Sequence, residues 1–83
     1  MEVNFLHHRD SKLFNADVDP DTTGETCIRG LIESKFIKKA PSSRPYGLSL
    51  NRTNKQILAR TTMQEAGVVG GDSIQVLQEE QGA

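Results

Sequence analysis

Gly70-Gly71-Asp72-Ser73-Ile74-Gln75-Val76-Leu77 decides how this chain folds. A glycine-glycine-aspartate turn leads into a stretch where Ile74 and Val76 alternate with Ser73, Gln75 and Leu77. A period of two predicts a strand from Ser73 to Leu77 with Ile74 and Val76 pointing inward. Behind it stands Gln78-Glu79-Glu80-Gln81-Gly82-Ala83, with no apolar residue before the last alanine. Such a segment has nothing to bury, so residues 78–83 are expected to form a flexible tail on a domain of residues 1–77.

Toward the N-terminus the same alternation recurs. Val3 and Phe5 alternate with Glu2 and Asn4 across Glu2 to His7. Between Lys12 and Val18, Phe14, Ala16 and Val18 share one face, and Asn15 and Asp17 the other. The polar link His8-Arg9-Asp10-Ser11 suits a hairpin loop, which makes these two strands antiparallel neighbours. Leu13 breaks the alternation and is placed at the sheet edge. Pro20 lacks a backbone N–H and ends the second strand.

Thr22-x-x-Glu25 then has the spacing of a capping box. Cys27, Ile28, Leu31 and Ile32, with Lys35 or Phe36 next, recur every three or four residues and predict a helix reaching Lys39. Lys35, Lys38 and Lys39 would sit in its last turns, where cations are favoured. Gly24 and Gly30 would each weaken it by about 1 kcal/mol relative to alanine. Ala40 to Pro45 reads as a loop, Tyr46 to Leu50 as a third strand and Lys55 to Leu58 as a fourth. Thr61 or Thr62 starts a helical turn through Ala66. The order is β-β-α-β-β-β. One helix must cover one face of a mixed five-stranded sheet, an α+β architecture.

Composition narrows the function. Eighty-three residues make one domain with a small core, and no space for a cofactor is expected. Ten basic against eleven acidic residues give a net charge of −1, which leaves no footprint for nucleic acid or an anionic membrane. Cys27 is the one cysteine, so no disulfide can form within the chain. No apolar run approaches the roughly 18 residues of a membrane span, and the first residues lack the form of a signal peptide. A cytoplasmic monomer is expected.

Nothing points to catalysis. Cys27 lies on the helix's apolar stripe and reads as a buried structural thiol. His7 and His8 are adjacent on a strand, so they are expected to face opposite sides rather than share a metal. Gly67-x-x-Gly70-Gly71 lacks the lysine and the following helix of a phosphate loop and reads as a turn. Lys12, Lys35, Lys38, Lys39 and Lys55 read as solvated surface. There is no Ser-His-Asp set and no working carboxylate pair, and the protein is not expected to be an enzyme.

The order and lengths of these elements resemble ubiquitin and its β-grasp relatives. Lys12-Leu13-Phe14-Asn15-Ala16-Asp17-Val18-Asp19-Pro20-Asp21-Thr22-Thr23 looks like ubiquitin's second strand, acidic-proline turn and threonine helix cap. Thr61 to Val68 resembles the threonine-led turn before the last strand. Gly70 to Leu77 is similar to the ending of many ubiquitin-like domains. The resemblance implies a ubiquitin-like β-grasp fold and a prokaryotic ubiquitin-like protein modifier. Its C-terminal carboxylate would be activated with ATP, transferred through a thioester and joined to a target by partner enzymes, as in bacterial operons that serve antiviral defence.

Gly82 would carry the bond, after a peptidase removes Ala83, or Ala83 itself would. Both are small enough to thread a narrow enzyme channel. Gln78, Glu79, Glu80 and Gln81 would be the recognised tail. They are acidic and polar where ubiquitin's tail is basic and apolar, which implies dedicated partners. The apolar patch that ubiquitin presents is reduced, because its third-strand position falls on Gly47 or Ser49. A sulfur-carrier role is a variant of the same chemistry. The alternative is a non-covalent interaction module similar to accessory proteins of bacterial secretion systems. It would dock through the sheet face near Leu6, Ser49 and Leu77.

Overall fold

The computed structural model describes residues 1–40 and 45–78. Five strands and two helices follow in the order β1 (Glu2–Leu6), β2 (Leu13–Asp17), α1 (Gly24–Glu33), β3 (Tyr46–Leu50), β4 (Lys55–Ile57), α2 (Met63–Ala66) and β5 (Ser73–Gln78). The strands form one sheet in the order β2-β1-β5-β3-β4. β1 and β5 are parallel; the other three pairs are antiparallel. The last strand therefore occupies the middle of the sheet, hydrogen-bonded on both sides. β2 lies at an edge, as Leu13 suggested.

Alternation sets the core. Val3, Phe5, Leu48, Leu50, Ile57, Ile74 and Val76 point to one side and are at most 3% exposed. Cys27 and Leu31 of α1 cover them, together with Ile37, Met63, Ala66 and Val68. Ile28 and Ile32 complete the predicted stripe as half-buried neighbours. Burying side chains of this kind is worth about 1.5–3 kcal/mol each against exposure, which makes this face the main stabilising element.

Two expectations for α1 fail. The helix stops at Glu33, not at Lys39. Lys35 adopts a left-handed φ of 64°. Its N–H donates to Ile32 O, and the Phe36 N–H donates to Leu31 O, both at 3.0 Å. This is the paired hydrogen bonding of a Schellman ending, with lysine where glycine is usual. The reversal carries Ile37 into the core, 3% exposed. Lys35, Lys38 and Lys39 thus follow the helix instead of forming its last turn.

The capping box predicted at Thr22 and Glu25 does not form. Thr23 is the cap, its Oγ1 accepting from the Thr26 N–H at 3.3 Å. The Thr22 hydroxyl instead accepts from the Asp19 N–H, and Glu25 pairs with Arg29. The full box appears at α2, where Thr62 and Glu65 exchange hydrogen bonds with each other's backbone N–H. Thr23 and Thr62 are themselves joined by an isolated β-bridge. β4 is one residue shorter than expected, and β5 one longer, with Gln78 opposite Tyr46.

Candidate functional site

The face of the sheet turned away from α1 carries the predicted docking residues. Strand alternation puts Leu6 of β1, Ser49 of β3 and Leu77 of β5 on it together. The registers Leu6↔Leu13, Leu6↔Gln75, Gln75↔Ser49 and Ser49↔Gln56 form one row across all five strands. Gln75 therefore separates Leu6 from Ser49. Its Nε2 donates to the carbonyl oxygens of His7 and Val76 at 3.2 and 2.9 Å, which holds the amide flat along the strands.

Leu77 is 44% exposed and Leu13 is 61% exposed. Leu77 stands two residues beyond Gln75 on the same face, diagonal to Leu6, and lies opposite Gly47. The face thus divides. Leu13, Leu6 and Leu77 make an apolar strip on one side, and Gln75, Ser49 and Gln56 a polar strip on the other. Leu13 is the residue that sequence reasoning missed as a site candidate. Its signal is the hairpin register, which sets it directly opposite Leu6.

Gln78 ends β5 and alternates to the α1 side, where it lines a cleft at the end of the domain. Glu79, Glu80, Gln81, Gly82 and Ala83, the rest of the predicted site, lie outside the described residues.

The remaining candidates resolve by environment. Cys27 is 6% exposed, and burial pushes its thiol up to about 11. Its Sγ–H faces Met63 Sδ at 4.0 Å, so it stays protonated and structural near neutral pH. His7 and His8 overturn the opposite-face expectation. β1 ends at Leu6, both histidines belong to the following turn, and their rings stack at 4.4 Å. Burial first, then the charges of His7 and Arg9, lowers the His8 pKa.

Asp72, 7% exposed, accepts from Arg52 Nε at 2.9 Å, from Arg52 Nη2 at 3.1 Å and from the Val69 N–H at 2.9 Å. The Arg52 hydrogen bonds and then the Val69 N–H hold its carboxyl below the usual carboxylate range. This aspartate pins the turn that launches β5, so the signature Gly70-Gly71-Asp72 is structural. No helix among the described residues is long and apolar enough to cross a membrane.

No family model and no curated protein sequence matches the chain. Solved structures do. A designed protein based on ubiquitin superposes with a TM-score of 0.77 at 21% identity, over 99% of this chain and 92% of its own. Ubiquitin from Caldiarchaeum subterraneum superposes with a TM-score of 0.74 at 15% identity, over 100% of this chain and 98% of its own. Identities this low carry the architecture only. With the helix-covered mixed sheet and its central final strand, they establish that this chain has the ubiquitin-like β-grasp fold.

Proposed function

We propose that this chain is a ubiquitin-like protein modifier, conjugated in the cytoplasm through its C-terminal residues by partner enzymes in a prokaryotic defence pathway. The supporting observation is the position of β5. It is the central strand, bonded on both sides, and it stays paired as far as Gln78. The residues that follow, Glu79 to Ala83, continue directly from a strand that is paired within the sheet. An enzyme that recognises the folded domain would therefore have the terminus within five residues of it.

The chemistry implied by the likeness to ubiquitin is a sequence of acyl transfers. The terminal carboxylate attacks the α-phosphorus of ATP and pyrophosphate leaves. A partner's thiolate displaces AMP to form a thioester. A target amine then displaces the thiolate and leaves an amide. The reacting carboxylate belongs to Ala83, or to Gly82 once a peptidase has removed Ala83. Glu79 and Glu80 suit a partner whose channel is basic. In this scheme the chain is cargo, and every catalytic group is supplied by a partner.

Intact-mass spectrometry tests the proposal. The purified chain is incubated with ATP and the proteins encoded beside its gene. The expected product is an adduct heavier than the target by this chain less water, or less water and one alanine residue. Deleting Gly82 and Ala83 should abolish it. If the deletion leaves partner binding and any cellular phenotype intact, the modifier reading fails. The apolar strip of exposed Leu13 and Leu77 with half-buried Leu6 between them favours the second reading, a non-covalent module. That reading predicts partner binding lost in Leu77→Asp and retained in the deletion.

A further inference from the structure

The end of the domain where β5 finishes holds an open cleft of about 580 Å³. Arg9, Lys12, Lys35, Lys38 and Lys39 line it, with Asp10 as the one acid. Five of the nine lysines and arginines among the described residues therefore converge on one cleft, against one of the nine acids. None of the five has a carboxylate within 4 Å among the described residues, whereas Arg29 and Arg52 do. A chain of net charge −1 thus concentrates the positive charge of its described residues at one end.

The cleft is also built. His7 Nδ1 accepts from the N–H groups of Arg9 and Asp10 at 3.1 and 3.2 Å, fixing the loop after β1. Tyr46 Oη donates to Lys38 O at 2.6 Å, fixing the segment after α1. Rings form the floor: His7 against Phe36 at 5.3 Å and His8 against Tyr46 at 5.2 Å. His8 Nδ1 is buried there without a hydrogen-bond partner among the described residues.

From these features we infer that the cleft is a docking site for an acidic, Asp/Glu-rich segment of a partner protein. Charge complementarity selects an anion, and the arrangement selects this kind. Four of the five cations are lysines, point charges spread around an open mouth rather than the bidentate arginine forks that suit phosphate. An extended peptide advances about 3.3 Å per residue and offers one carboxylate after another to such a rim. The aromatic floor accepts the apolar parts of its side chains. The site lies on the α1 side of the sheet, and it does not depend on whether the C-terminus is conjugated.

The test uses the full chain and a fluorescein-labelled octaglutamate peptide, followed by fluorescence anisotropy and by amide chemical shifts. Saturable binding is expected, weakening with salt, with shifts concentrated in His7 to Lys12, Lys35 to Lys39 and Tyr46. Lys12→Glu/Lys38→Glu should lose about tenfold or more in affinity through charge reversal, while Lys55→Glu/Arg60→Glu at the far end keeps most of it. Thermal unfolding of both variants confirms that they fold. Equal losses in the two variants would overturn the site. So would displacement of the peptide by inorganic phosphate at equal concentration, or stronger binding of a DNA duplex, which would assign the cleft to phosphate or to nucleic acid. Binding by Glu79→Gln/Glu80→Gln protein but not by the unaltered chain would assign it to this chain's own tail and equally overturn it.

Discussion

The two ends of the domain contrast in how they use polar groups. At the end where β5 begins, they are spent on each other. Gly24 N–H donates to Thr61 O, Glu25 N–H to Ala59 O, Met63 N–H to Thr22 O and Gln64 N–H to Pro20 O, all within 3.0 Å. Asp72 closes the turn with Arg52 and Val69. At the end where β5 finishes, five cations stand without carboxylate partners among the described residues and His8 Nδ1 is unsatisfied. The five cations are exposed and hydrated, so only the buried His8 Nδ1 carries the cost of an unmade hydrogen bond. Stability is concentrated at the first end, and capacity for binding at the second.

Gly24 gives the sharpest way to damage the self-bonded end. A Cβ there would meet Leu58 O at 2.6 Å, a backbone atom that cannot move aside alone. Gly24→Ala should cost about 2 kcal/mol in urea unfolding, as overpacking does. An unchanged midpoint would mean that the end is looser than its hydrogen bonds suggest. Asp72→Asn should cost about 1–2 kcal/mol by breaking the ion pair and weakening the bond to Val69. The Asp72 pKa is lower folded than unfolded, so its contribution is complete above the usual carboxylate pKa. It is lost as pH falls through the folded value. Asp72→Asn should therefore flatten the acid limb of the stability curve in part; Glu65, also lowered by its bonds from Thr62, contributes to the same limb.

Gly30 lies between the ends, exposed, and a Cβ added there would have nothing within 4 Å. Gly30→Ala should raise stability by close to ~1 kcal/mol, the helix-propensity difference alone. At the basic end, His8 prefers to be neutral in the fold. The unfolded chain takes up this proton first as pH drops, so stability should show a shallow fall just below the usual imidazole pKa. His8→Asn should remove that step in pH-dependent melting. Lys38→Gln should leave stability within about 0.5 kcal/mol of the parent, as expected for an exposed charge without a partner. A loss well beyond that would show that the basic end is structurally paired after all, and the contrast between the ends would fail.

The sequence was legible where one segment carries its own signal. Ile74 and Val76, Val3 and Phe5, and Leu48 and Leu50 alternate, and each pair is buried as alternation requires. It was not legible at the two ends of α1. Thr22-x-x-Glu25 and Thr62-x-x-Glu65 have the same spacing, yet the box closes in the second alone. The bridge between Thr23 and Thr62 moves the start of α1 by one residue, a contact across 39 positions that no local pattern contains. Phe36 and Ile37 fit a helical period as well as a core contact. Lysine is an uncommon residue for the left-handed ending that separates those two outcomes.

The candidate site divides in the same way. Leu6, Ser49 and Leu77 share a face because side chains on a strand alternate, and that much follows from spacing. Their neighbours follow from register: Leu13 beside Leu6, Gln75 between Leu6 and Ser49, Gly47 opposite Leu77. The basic cleft was invisible because its cations come from the β1–β2 loop and from the segment after α1, and a net charge of −1 averages them away. Local pattern therefore determined the elements, the inward faces and the β-grasp order, since each depends on residues a few positions apart. Tertiary structure alone decided the helix ends, the register of the exposed face and the convergence of charge, since each depends on which distant segments are brought within a few ångströms.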